Sequence, residues 1–287
     1  MDVYQIVTDR IIEQLEQGYI PWQKPWLTFR QGAFNRVTKR PYSILNQMLL
    51  NKEGEWATFK QWSSLGGKIK KGAKSSVVVF WKIQKIEDME DDEPVIKQIP
   101  LLRYYNVFHI SDIEGVEPLN DEPELYDTSP IEVADKVFMD YITREQIKLD
   151  ISKQNKACYC PSLDSLTLPL MEQFENAEAF YSTAFHESVH STMKKDRCDR
   201  EEENKGAFFG SEDYSKEELV AEIGSSALMN NVGIETENTF KNSAAYIQNW
   251  LKVLKNDQKF IISASSKAEK AVKYILGETE DEVQAVA

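Results

Sequence analysis

The stretch AFHESVH, residues 184–190, holds two of the three histidines in the chain, four residues apart, with a glutamate directly after the first. On a helix, positions i and i+4 share one face, so His186 and His190 can turn ring nitrogens toward one ion. Glu187 falls one residue further round, close enough to hold a water on that metal without ligating. The metal lowers the pKa of the water, and the glutamate takes its proton and can pass it to a leaving amine. Two histidines do not complete a site. The search for a third ligand ties the rest of the fold to this helix.

The extension H-E-x-x-H-x-x-G-x-x-H is absent: position 193 is Met and position 196 is Asp, which leaves Asp196 as an outside candidate. A better source is EELVAE, residues 217–222, at the start of an apolar helical pattern. Glu218 and Glu222 are again i, i+4, so one can ligate while the other fixes a ligand histidine from behind. Glu218 is assigned to the metal and Glu222 to the supporting position, following the ligand-first order of the E-x-x-x-D helix in gluzincins. Tyr214 is the candidate donor to a developing oxyanion, with Arg197 and Arg200 as weaker ones. The strand-rich segment CYCPSLDSLTLP precedes the histidine helix, where a zincin places the edge strand that lines up an extended substrate. Cys158, Cys160 and Cys198 are too few for a disulfide framework, and a reducing cytoplasm is the expected compartment. The C-x-C pair reads as small residues alternating on a strand.

Charge divides the chain. Residues 1–86 carry 14 Lys+Arg against 6 Asp+Glu, and the remainder 20 against 41, so +8 and −21 lie behind the net −13. Residues 1–110 combine bases with many aromatics, Trp22, Trp26, Trp56, Phe59, Trp62, Trp81, Tyr104, Tyr105 and Phe108 among others. LGGKIKKGAKSS reads as a mobile, glycine-flanked basic loop. Such a loop can track a phosphate backbone while nearby aromatics stack on unpaired bases. The candidate contacts are Arg36, Lys39, Arg40, Lys60, Trp62, Lys68, Lys70, Lys71 and Lys74.

The pattern is α+β. A helix is expected over DVYQIVTDRIIEQLEQ, and another over ATFKQWSSL with Thr58 as its cap. The strand-forming runs SSVVVFWKIQKI and IPLLRYYNVFHI are expected as a hairpin, turning at the acidic EDMEDDEP. The acidic, proline-containing stretch 111–130 reads as a linker. It divides a small α+β domain at 1–125 from a mostly helical domain with a small sheet at 126–287. The first residues do not form a signal peptide, and no apolar run approaches the ~20 residues that span a bilayer.

Several of these segments together resemble the ArdC-type antirestriction proteins of plasmids and other mobile elements. The likeness lies in NRVTKRPYSILNQMLL, WATFKQWSSLGGKIKKGAKSSVVVFW, YYNVFHI, ACYCPSLDSLTLP, FYSTAFHESVHST and FFGSEDYSKEELVAE. The resemblance implies a single-stranded-DNA-binding domain joined to a zincin-like metallopeptidase domain. It implies zinc on His186, His190 and Glu218, with Glu187 as base, and DNA contacts from GGKIKKG. The expected function is hydrolysis of DNA-associated proteins or restriction enzymes. The alternative is a non-catalytic, single-strand-binding antirestriction protein in which the zincin fold is a metal-binding scaffold.

Overall fold

The computed structural model describes residues 2–17, 20–22, 32–50, 52–90, 93–119, 130–201, 212–234 and 243–278, without the side chains of 81–101, 130, 212–215 and 243–249. Among them are eight α-helices and three small sheets, an α+β fold. The boundary expected at residue 125 lies outside the described residues. No described helix is long and apolar enough to cross a membrane.

Helix α1 (Val3–Glu16) starts at Asp2, whose side chain accepts from the Tyr4 N–H, and buries Val7, Ile11 and Leu15 at helical spacing. Strands β1 (Ala33–Asn35) and β2 (Gly54–Thr58) pair in parallel around α2 (Ile44–Leu50). Thr58 then caps α3 (Phe59–Ser64) as expected. Its hydroxyl accepts from the Gln61 N–H while the Gln61 side chain returns to the Thr58 N–H, so two otherwise orphaned donors are satisfied.

The expected hairpin is present as β4 (Ser76–Glu90) and β5 (Glu93–His109). It is longer than the sequence indicates: the ladder runs through the acidic segment to Glu90↔Glu93. Backbone pairing on both strands carries it past residues read as a turn. The sheet order is β1-β2-β5-β4.

The basic loop is pinned. Strand β3 (Lys68–Ile69) pairs with β6 (Ile113–Glu114), and the Lys70 N–H donates to the Asp112 carbonyl. A Cβ on Gly67 would stand 2.8 Å from Ile113 Cγ2 and 2.9 Å from Val116 Cγ2, so only glycine lets the chain pass there. The expectation of a mobile loop is corrected by this tertiary packing, which local composition does not reveal.

After α4 (Pro130–Arg144), strands β7 (Lys148–Ser152), β8 (Cys158–Cys160) and β9 (Ser165–Pro169) form a sheet of order β7-β9-β8, with β8 on its edge. Cys158 and Cys160 are on that strand, and the three cysteines are free. Helices α5 (Ala177–Ser191), α6 (Glu212–Asn231), α7 (Ser243–Asn256) and α8 (Phe260–Leu276) complete the chain.

The main core does not stop at the linker. Val7, Ile11, Leu15, Trp22, Met48 and Val79 belong to the same buried cluster as Phe138, Phe185, Leu219, Leu254 and Ile261. Helix α1 packs on α7 and α8. Trp22 meets Trp250 edge-on at 5.0 Å, Thr8 Oγ1 donates to the Gln258 carbonyl at 2.7 Å, and Lys255 pairs with Glu16 at 2.7 Å. The first helix of the basic half therefore supplies part of the acidic half's core. Ile11→Ala is expected to cost about 2–5 kcal/mol. In calorimetry it should lower the transition of the whole chain; a metal-bearing half that melts at the wild-type temperature would contradict the shared core.

Candidate metal centre and basic surface

Helix α5 is capped by Asn176, whose Oδ1 accepts from the Ala179 N–H at 2.8 Å. It sends Phe180, Tyr181, Ala184, Phe185 and Val189 into the core. Helix α6 passes close beside it at Gly224, where a Cβ would lie 2.8 Å from Val189 Cγ2. This approach, next to His190 in sequence, brings three glutamates of α6 to the two imidazoles.

His186 Nε2 and His190 Nε2 are 3.1 Å apart. Glu218 places Oε2 at 3.5 Å from His186 Nε2 and Oε1 at 3.3 Å from His190 Nε2. Ligands about 2.0–2.1 Å from a tetrahedral ion are separated by roughly 3.3 Å, so this donor set fits a divalent metal. Among the described residues, His186, His190 and Glu218 are the group whose potential ligand atoms all lie within 4.8 Å of one another.

The far ring nitrogens face two further acids. Glu222 Oε1 is 3.9 Å from His186 Nδ1, and Glu217 Oε1 is 3.6 Å from His190 Nδ1. At these distances the carboxylates act on the rings by charge, and a shorter contact of the same kind would set the ring orientation of a ligand histidine. Glu222 lies behind His186, and Glu217, which the sequence reading did not single out, lies behind His190. Arg200 holds Glu217 through Nε at 3.2 Å and Nη2 at 2.7 Å. The same guanidinium donates to the Val189 carbonyl at 3.1 Å and to Thr192 Oγ1 at 2.9 Å, closing the end of α5.

Electrostatics favour a cation here. Burial opposes the charge on Glu217, yet His190 and Arg200 outweigh it and hold the carboxyl down to about 2. Burial likewise opposes the charge on Glu218, and the two rings overcome it. Burial also disfavours a charged His190, but Glu217 and Glu218 raise its pKa well above the ordinary imidazole range. Burial pushes Glu222 up to about 7, and its buried Oε2 has no hydrogen-bond partner among the described residues. Glu217 and Glu218 hold their negative charge beside the ring nitrogens, where a divalent ion can take the place of the proton on His190.

Glu187 stands outside the ligand cluster. Its Oε2 accepts from the Tyr159 backbone N–H on β8 at 2.8 Å. The outer edge of that strand is therefore joined to the candidate base. Arg197 and Arg200 are corrected as oxyanion donors, because carboxylate partners occupy both. The Arg197 side chain, only 2% exposed, is bound by Asp164 and Glu145, and Arg200 by Glu217. Asp196 is exposed, 3.8 Å from Lys194, and does not join the metal cluster. Tyr214 lies in α6, but its side chain is outside the described residues. The third histidine, His109, is buried against Trp56 and bonded to Ser111 and to the Glu53 carbonyl. It is a packing residue.

On the basic half, Lys39, Arg40, Lys60, Lys68, Lys70, Lys71 and Lys74 are exposed. Two expected DNA contacts are corrected. Trp62 is fully buried and donates Nε1–H to the Phe108 carbonyl at 2.9 Å, so no base can stack on it. Arg36 is paired with the buried Glu55 and reaches the Glu117 carbonyl, which ties the chain after β6 to the sheet. The aromatic faces open to solvent are Phe59, Tyr104 and Tyr105, which are 61%, 47% and 42% exposed. Trp26 and Phe29, and the side chain of Trp81, lie outside the described residues.

Glu217→Gln removes the charge that orients His190 and leaves the three ligands in place. Metal affinity is expected to fall about 10- to 100-fold, read by competition with a chromogenic chelator. In wild type the affinity should rise with pH into the alkaline range, because His190 keeps its proton there until the metal displaces it. An affinity that levels off once pH passes the ordinary imidazole pKa would contradict this electrostatic account.

Comparison with known proteins bears on the family and the fold. A model of the zincin-like metallopeptidase family matches residues 137–267, and a model of the N-terminal domain of the anti-restriction factor ArdC matches residues 1–108. The metal-free crystal structure of the antirestriction ArdC protein from plasmid R388 aligns with TM-score 0.74 and 31% identity, covering 98% of this chain and 100% of that one. Its Mn(II)-bound structure aligns with TM-score 0.75 and 32% identity, covering 96% and 98%. The chain is also 32% identical over 302 residues to DNA primase TraC of Escherichia coli, and spans 98% of its own length but 20% of the primase. With the R388 protein matched end to end, and its two halves matched in the same order by the two family models, the chain belongs to the ArdC antirestriction protein family.

Proposed function

We propose that this protein binds single-stranded DNA through its N-terminal half and hydrolyses DNA-associated proteins at a zinc ion on His186, His190 and Glu218. The observation that carries the reading is Glu187. A metal held only for structure needs its ligands and no base. Here a non-ligating carboxylate stands beside the cluster, with one oxygen fixed by an edge-strand N–H at 2.8 Å. A divalent ion at this site supplies Lewis acidity and a more acidic water. The chain itself orients the two rings through Glu217 and Glu222, and presents Glu187 to take up a proton. Strand β8 is the sheet edge beside the base, and its Tyr159 N–H is given to Glu187. Two imidazoles and one carboxylate at tetrahedral spacing favour zinc, whereas manganese favours oxygen-rich, six-coordinate sites. The R388 relative binds Mn(II), so elemental analysis of the purified protein decides the metal.

In a degradation assay on candidate DNA-bound proteins, wild type should cleave faster with single-stranded DNA present. Glu187→Gln should lower the rate at least about 100-fold, within the range attributed to general acid–base catalysis, while retaining its metal. Equal rates for the two proteins would end the peptidase reading and leave a binding protein on a metal-bearing scaffold.

The DNA surface is assigned to Lys39, Arg40, Lys60, Lys68, Lys70, Lys71 and Lys74, with Phe59, Tyr104 and Tyr105 as stacking faces. Changing Tyr104 and Tyr105 together to Ala should weaken single-strand binding by about 1–3 kcal/mol per stacked base without changing its salt slope. Neutralising Lys68, Lys70, Lys71 and Lys74 should flatten that slope. Equal affinity for duplex and single strand in fluorescence anisotropy would point to a generic basic patch.

A further inference from the structure

Asp164 ends the turn between β8 and β9 in a left-handed conformation, φ 46°. Its Oδ1 accepts from the Tyr159 hydroxyl at 2.8 Å and from Arg197 Nη1 at 3.0 Å. Its Oδ2 accepts from Lys194 Nζ at 2.7 Å and from Arg197 Nη2 at 2.9 Å. Lys194 and Arg197 lie in the segment that directly follows α5. One carboxylate therefore fastens the edge-strand hairpin to the tail of the histidine helix.

The fastening is anchored in the core. Arg197 Nη1 also donates to the Ser191 carbonyl at 2.9 Å, and its Nε reaches Glu145 Oε2 at 3.3 Å. That same Glu145 oxygen accepts from the Tyr274 hydroxyl of α8 at 2.8 Å. Tyr159 thus touches two things. Its ring hydroxyl is held by Asp164, and its backbone N–H holds Glu187 Oε2. Among the described residues this N–H is the one hydrogen-bond partner of the Glu187 side chain.

We propose that Asp164 is a positioning residue for Glu187, acting through Tyr159 to fix the free edge of β8 so that one carboxylate oxygen is held and the other is aimed at its proton. The inference rests on the reading of Glu187 as the base. A base displaced by about 1 Å can lose roughly 100-fold in rate, so a clamp on its only described partner matters for turnover. Asp164 touches neither ligand nor base, and nothing in its local sequence marks it.

The test reads amide exchange at Tyr159 in the full-length, metal-loaded chain, by mass spectrometry with residue-level fragmentation. Glu187→Ala removes the acceptor and should speed exchange at that amide about tenfold or more. Tyr159→Phe keeps the N–H and cuts the bond to Asp164. Asp164→Gly removes the clamp and tolerates the left-handed backbone. Both should speed exchange at Tyr159 comparably, with metal content unchanged. On a cleaved substrate, Tyr159→Phe should lower kcat and leave KM unchanged. If exchange responds to Glu187→Ala but to neither Tyr159→Phe nor Asp164→Gly, the N–H stands without Asp164 and the proposal falls. If Glu187→Ala leaves exchange unchanged, the contact itself is absent and the proposal falls too. The expected exchange pattern in a protein that cleaves nothing supports the positioning and overturns only the peptidase reading.

Discussion

Three carboxylates on one buried helix face, set against two imidazoles, are the constraint around which the acidic half is arranged. Glu217, Glu218 and Glu222 lie within six residues of α6, in a region where isolated charges are expensive. Each has a different counterpart: Arg200 for Glu217, the two ring nitrogens for Glu218, and His186 for Glu222. Removing one partner of such a set leaves a buried charge uncompensated, which costs several kcal/mol. The loop after α5 must therefore return Arg200 to α6, and Gly224 must stay small enough for α5 to approach. The metal cluster and the packing of these helices are consequences of the same balance.

A second dependence runs through α1. Its apolar face completes a core that α7 and α8 line from the other end of the sequence. The chain carries its charge asymmetry as two halves and its hydrophobic cluster as one. A fragment cut within the linker divides this core, and it does not follow the charge boundary either, because the acidic run 87–93 stays on its N-terminal side.

What the sequence disclosed was mostly local. The i, i+4 spacing of His186 and His190 and of Glu218 and Glu222 needs only a helix, and the Thr58–Gln61 box needs only one turn. The strand periodicity at 76–86 and 99–110 needs only a neighbour, and these features were legible. The rest depends on pairings between distant segments. Arg200 meets Glu217 across 17 positions, and Asp164 meets Arg197 across 33. Neither pair differs in composition from solvated surface charges. Trp62 was misread for a related reason. An aromatic beside basic residues looks alike whether its ring faces solvent or, as here, fills the space under β5 with its N–H spent on a carbonyl.

Formal charge overstates how acidic the surface of the second half is, because Glu145, Asp164, Glu217, Glu218 and Glu222 are drawn into buried or half-buried pairs. The acids that remain still outnumber the bases in that half, whereas exposed lysines dominate α3, β3 and the turn after it. A polyanion is thus attracted to one half and repelled by the other over about a Debye length, ~8–10 Å at physiological salt. A polyanion near β8 and Glu187 meets the repulsive part of this field, without a barrier to nucleic acid having to be built from any single residue.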